Sequence, residues 1–112
     1  MTPASPFAEI LPMPESQKAT HTLLDLKNDT KVVLVAIPGS VQIPAHQVPY
    51  PASVLLLSGS VEVMLGETWT RVAPGTTVPI PEGVMHAVRA GEASYFIVTH
   101  LRGLGSKVMA AT

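Results

Sequence analysis

The side chains best suited to chemistry in this 112-residue chain are four histidines: His21, His46, His86 and His100. Imidazole can act as acid, base or metal ligand near neutral pH. The chain has no cysteine, which removes disulfides, thiolate ligands and thiol nucleophiles. It has no G-x-S-x-G nucleophile turn. Glu62, Glu67, Glu82 and Glu92 fall beside turn residues and are expected to be solvated. Gly103-Leu104-Gly105 lacks the strand and helix that flank a phosphate loop, so it reads as an exit from the fold. A lone histidine on a strand is more often structural than functional. Position in the chain must therefore decide which of the four matter.

The elements around them read as strands. Short apolar runs span His21–Leu26, Lys31–Ile37, Val41–His46, Ser53–Leu57, Val61–Leu65, Trp69–Val72, Thr76–Ile80, His86–Arg89 and Ser94–His100. Turn residues separate them, such as Pro38-Gly39-Ser40, Gly66-Glu67, Pro74-Gly75 and Pro81-Glu82-Gly83. β-branched runs at this spacing predict an all-β sandwich or barrel. No window has a sustained helical period; Pro14–Ala19 and Gly105–Ala111 have room for a helical turn each. Residues 1–18 form a proline-rich arm, expected to be extended or to lie along a sheet edge. Residues 19–102 form the β domain and 103–112 a tail.

Between Gly75 and Ala90 the sequence GTTVPIPEGVMHAVRA resembles the second motif of the cupin superfamily. That motif runs glycine, five residues, Pro-x-Gly, two residues, histidine, then three residues and often asparagine. Gly75, Pro81, Gly83 and His86 match; Ala90 stands in place of the asparagine. The strand period puts Val84, His86 and Val88 on one face, and the apolar neighbours mark that face as inward. Upstream, His46 and Gly59 match the first and last positions of the family's first motif, His-x-His, glutamate, then glycine. Its second histidine falls on Val48 and its glutamate on Ala52. The resemblance covers about residues 20 to 100.

The resemblance implies a small, single-domain, RmlC-like cupin of the conserved-barrel type: a double-stranded β-helix, or jelly roll. In that family three histidines and a glutamate converge on a divalent metal (Fe, Mn, Ni, Zn or Cu suit such donors). Two positions carry over here, His46 and His86. His100 is a further candidate whose facing depends on strand register, and Tyr50 has the bulk to fill the lost glutamate's volume. Gln42 has the parity of His46 but stands four residues away, about 13 Å along an extended strand. Two neutral imidazoles hold a metal weakly beside a complete donor set. The alternative is a metal-free pocket in which the two rings are bridged by water or a small anion. The expected cavity is apolar, lined by Val48, Tyr50, Val54, Leu56, Val84 and Val88, with His46 and His86 as its polar points. Such a pocket suits a small, partly apolar ligand. Two functions follow: a binding protein with a degenerate metal site, or a dioxygenase- or isomerase-like enzyme with an unusual histidine-based centre.

Composition narrows the partners. Only 13% of residues are charged against 46% hydrophobic, and seven basic against eight acidic residues give a net charge of −1. That balance gives no footprint for nucleic acid. No apolar run approaches the roughly 20 residues of a membrane helix, and the first 18 residues lack a secretory pattern, so a cytoplasmic location is expected. Val32-Val33-Leu34-Val35 and Val54-Leu55-Leu56-Leu57 are apolar on both faces. A strand with one wet face should alternate. A second subunit is the expected cover for the other face, making a homodimer; the arm and the tail are the alternative cover.

Overall fold

The computed structural model describes residues 6–104. A short helix, α1 (Pro6–Ile10), precedes nine strands: β1 (Ala19–Asp25), β2 (Thr30–Ile37), β3 (Gln42–His46), β4 (Ala52–Ser58), β5 (Val61–Leu65), β6 (Thr68–Val72), β7 (Thr77–Ile80), β8 (His86–Ala90) and β9 (Ser94–Leu101). A 3-10 turn over Arg102–Leu104 follows. Each of the nine apolar runs is a strand. The tail from residue 105, with the helical turn expected over Gly105–Ala111, lies outside the described residues, as do residues 1–5 of the arm. No helix among the described residues is long and apolar enough to cross a membrane.

The strands form two antiparallel sheets, ordered β1-β2-β9-β4-β7 and β3-β8-β5-β6. Their inner faces share one core, in which Val33, Val54 and Phe96 of the first sheet meet Val61, Val63 and Val88 of the second. This is the all-β layering expected from the strand spacing, in the two-sheet form of the jelly roll that the resemblance implies. Gly59 sits at φ +96° in the turn between β4 and β5. Beside it, the Ser60 N–H donates to the buried Ser94 hydroxyl at 2.9 Å, and that hydroxyl donates to the Glu92 carbonyl at 2.7 Å. These bonds tie the β4–β5 turn to the start of β9.

The second dry face of β2 is covered by the chain itself. Leu34 and Ala36 of β2 and Tyr95 of β9 form a separate cluster under Phe7, Leu11 and Met13. The Phe7 and Tyr95 rings lie 5.7 Å apart, and the Tyr95 hydroxyl donates to the Leu11 carbonyl at 2.8 Å. The arm is thus neither merely extended nor an edge strand. Pro6 opens the helix, where its missing N–H costs nothing. The helical turn expected at Pro14–Ala19 is absent; it forms instead at Pro6–Ile10, where Phe7 and Ala8 have an apolar face to pack on. The doubly apolar pattern of β2 therefore has a cover within the chain.

Candidate functional site

His86 begins β8 directly after a turn. The Val84 N–H reaches the Pro81 carbonyl at 3.3 Å, and Gly83 takes φ +74° at the third position of that turn. This position demands a residue free to adopt positive φ. The Gly83 N–H donates to the Val48 carbonyl at 2.9 Å, which fixes the turn against the chain leaving β3.

His46 ends β3, an edge strand paired with β8. The pairing runs Gln42 with Arg89 and Ile43 with Val88, then His46 with His86. Pro44 and Ala45 oppose Ala87 alone, so β3 carries a bulge. Proline has no N–H for the ladder and is tolerated where pairing breaks. The bulge shifts the parity: Ile43 and His46 both line the interior, while Gln42 does not. The expected common facing of Gln42 and His46 is therefore corrected.

His46 and His86 stand opposite each other with ring centroids 4.1 Å apart and planes tilted by 59°. Each ring donates Nδ1–H to the carbonyl two residues earlier, His46 to Pro44 and His86 to Val84, both at 3.0 Å. A carbonyl can only accept, so these bonds set the tautomer. In the neutral rings this leaves the Nε2 lone pairs free. His86 is 6% exposed, and burial pushes its pKa below the ordinary imidazole value; the Val84 carbonyl pulls the other way, and His46 adds a smaller lowering. Burial thus favours its neutral form.

His100 comes from the facing sheet. Its cross-strand partners are Lys31 on β2 and Ala52 on β4. Burial lowers its pKa, followed by the nearby positive charges of Lys31 and Arg102. Its Nδ1 is sealed from solvent without a hydrogen-bond partner. The Tyr50 ring meets it edge-on at 5.6 Å. His21 lies on the exposed strand β1, apart from the other three.

These three histidines line a cavity of about 250 Å³ between the sheets. The first sheet supplies Val33, Val35, Ala52, Val54, Phe96 and Val98, and the second supplies Ile43 and Val88. Val48 and Ile80 complete the apolar wall, and Lys18, Thr20, Thr22 and Lys31 give a polar side. Of the residues expected here, His46, His86, Val48, Val54 and Val88 line the cavity; Tyr50, Leu56 and Val84 do not. Leu56 is fully buried in the packed core. Val84 precedes β8 and contributes its carbonyl to His86 rather than its side chain to the wall. Tyr50 touches His100 instead, ring edge to ring face. Reasoning from sequence missed Phe96, Val98 and the facing of His100, although these three alternate in one strand. The signal was the period of two: with Phe96 inward, Val98 and His100 face inward as well. Lys18, Thr20 and Thr22 alternate in the same way.

The donor set does not fit a closed divalent site. The two free Nε2 lone pairs and their carbonyl-held Nδ1–H groups suit ligation. Yet Val48 and Ala52 offer no donor atoms, no carboxylate lines the cavity, and no cluster of three histidine or carboxylate side chains among the described residues is close enough to hold a metal ion.

No protein-family model and no curated protein matches the chain. Solved structures do match. A conserved protein of unknown function from Streptococcus pyogenes is 24% identical, with a TM-score of 0.79 over 91% of this chain and 89% of that one. A cupin superfamily protein from Desulfitobacterium hafniense is 14% identical, with a TM-score of 0.79 over 90% of this chain and 92% of that one. The DMSP lyase DddQ from Ruegeria pomeroyi is 24% identical, with a TM-score of 0.68 over 75% of this chain and 46% of that one. The fold of this chain is the cupin fold, as the motifs at His46–Gly59 and Gly75–His86 imply.

Proposed function

We propose that this chain is a cupin that binds a small, partly apolar molecule between its sheets without relying on a tightly held metal. The observation that carries the reading is the cavity itself. It has apolar walls and two histidines whose Nε2 atoms are preset as acceptors by their own backbone bonds. Such a pocket orients a ligand through a few polar points on an apolar background. Fold alone does not decide between binding and catalysis, since one similar fold belongs to a lyase.

Metal analysis and ligand mapping test the reading together. The purified protein should carry well below one equivalent of metal, and added Fe, Mn, Ni or Zn should leave its melting temperature unchanged. Fragment hits followed by amide shifts should map to Val33, Val54, His86 and Val88, and Val54→Trp should abolish them by filling the space. One equivalent of metal that is lost in His46→Ala and His86→Ala would favour the metalloenzyme instead.

A homodimer belongs to the same reading. β1 ends its sheet, and Leu23, Leu24 and Leu26 are 44, 44 and 51% exposed on or beside it. An apolar strand at a sheet edge invites pairing with another copy. Sedimentation equilibrium of the wild type against Leu24→Lys reads this directly.

A further inference from the structure

The charge around the cavity is one-sided. Lys18 and Lys31 line it together with His46, His86 and His100, and no aspartate or glutamate does. Lys31 shares a strand face with Val33 and Val35 and is the cross-strand partner of His100. The ion pairs among the described residues are Arg89 with Glu62 and Arg102 with Asp25, so neither lysine has a salt-bridge partner there. Asp25 is in register with Lys31 across β1 and β2. Its carboxylate is already engaged, accepting from Arg102 at 2.6 Å and from the Lys27 N–H at 2.9 Å. Two ammonium groups without a salt bridge among the described residues therefore border a chamber walled by valine and phenylalanine, and the carboxylate beside Lys31, that of Asp25, is shared with Arg102. That juxtaposition suits a molecule with an anionic head and an apolar body. The lining includes no arginine, and α1 packs on the far side of β2 rather than facing the cavity. The fork and the helix terminus that favour phosphate are thus missing.

We propose that the ligand is a small organic monoanion, a carboxylate on a short aliphatic or single-ring body. Lys18 and Lys31 stand at opposite ends of the polar side; the carboxylate sits at the Lys31 end, next to His100, and the body lies among Val33, Val54 and Phe96. This rests on the small-molecule reading above. A cavity of about 250 Å³ limits the ligand to a small molecule.

Calorimetry of the full chain with benzoate, benzamide and benzylamine tests the charge and the cavity separately. Benzoate should bind about tenfold more tightly than benzamide, and benzylamine most weakly. The Lys18→Met and Lys31→Met double variant should lose the benzoate preference and keep its benzamide affinity. Lys31→Arg should retain the preference. Lys18 is exposed and Lys31 half-buried, and the amide spectrum of each variant verifies its fold. Equal binding of benzoate and benzamide, or a preference that survives in the double variant, overturns the anion assignment and leaves the cavity reading standing. Failure of all three probes at millimolar concentration overturns both.

Discussion

Ala52 and His100 are cross-strand partners, side by side on β4 and β9. Position 52 is where the cupin pattern has its glutamate, so an imidazole stands beside the place of the missing carboxylate. Both residues line the cavity. Against the family pattern, this is an exchange of an acidic donor on one strand for a neutral one on the next. Ala52 removes the only anionic donor that the pattern supplies and Val48 its second histidine, so the two oriented rings of His46 and His86 lack the pattern's other two ligands.

Ala52→Glu reverses that exchange. Ala52 is 6% exposed, so a carboxylate there is costly without a cation. The variant should melt below the wild type in chelator. In Mn, Ni or Zn it should recover, by about 2.7 kcal/mol at a hundredfold excess over Kd. Thermal melts with and without metal check this, and the wild type should show no such response.

Acid should loosen the fold through the same histidines. Burial is the main cause that holds the pKa values of His86 and His100 below the ordinary imidazole value of 6.5. The unfolded chain therefore takes up protons before the folded one. The stability they contribute is complete above pH 6.5 and is lost as pH falls below it, through their lowered folded-state values. Melting temperature should drop on going from pH 7.5 to pH 5. His86→Asn and His100→Asn together should flatten that slope, which differential scanning calorimetry across the range reads.

The strands and His86 were legible because they rest on local signals: apolar runs cut by turn residues, and a Pro-x-Gly turn that sets where β8 begins. The facing of His46 was legible only through the family pattern. Counting by twos from Gln42 fails, because the bulge at Pro44 and Ala45 is made by a missing N–H and a cross-strand partner together. The cover of Leu34 stood open between a second subunit and the arm with the tail, and the structure supplies the arm. Nothing near β2 in sequence says that Phe7 and Leu11 return to it, so a subunit was the expected cover of the doubly apolar run. The lysines escaped notice because they alternate with outward residues in a strand exposed along most of its length, or stand at a strand's start.

Gly59→Ala should be among the most damaging single changes. Its φ of +96° is unfavourable for any L side chain, and an added Cβ would lie 2.6 Å from the Ala93 carbonyl oxygen and 2.7 Å from the Ser94 Cα. Those atoms belong to the backbone at the start of β9 and cannot simply swing aside. The loss should be at least about 2 kcal/mol, with the Ser60–Ser94 bonds broken as well. Urea unfolding of this variant against Gly66→Ala separates steric collision from backbone strain. Gly66 has φ +64° but open space around its Cβ position, so its cost should be the smaller.

Phe7→Ala tests whether the arm is structural. Phe7 packs on Tyr95 and on the cluster of Leu34 and Ala36. It is half-buried, so truncation should cost about 1–3 kcal/mol, less than the 3–5 kcal/mol of a fully buried phenylalanine. Removal of residues 1–13 goes further. It uncovers Leu34, Ala36 and Tyr95 and leaves the Tyr95 hydroxyl without its Leu11 acceptor. A contiguous apolar patch of that kind drives association. The shortened chain should self-associate at lower concentration than the full chain in sedimentation runs. If the arm instead lay loosely on that face, both variants would match the wild type in melting temperature and in mass.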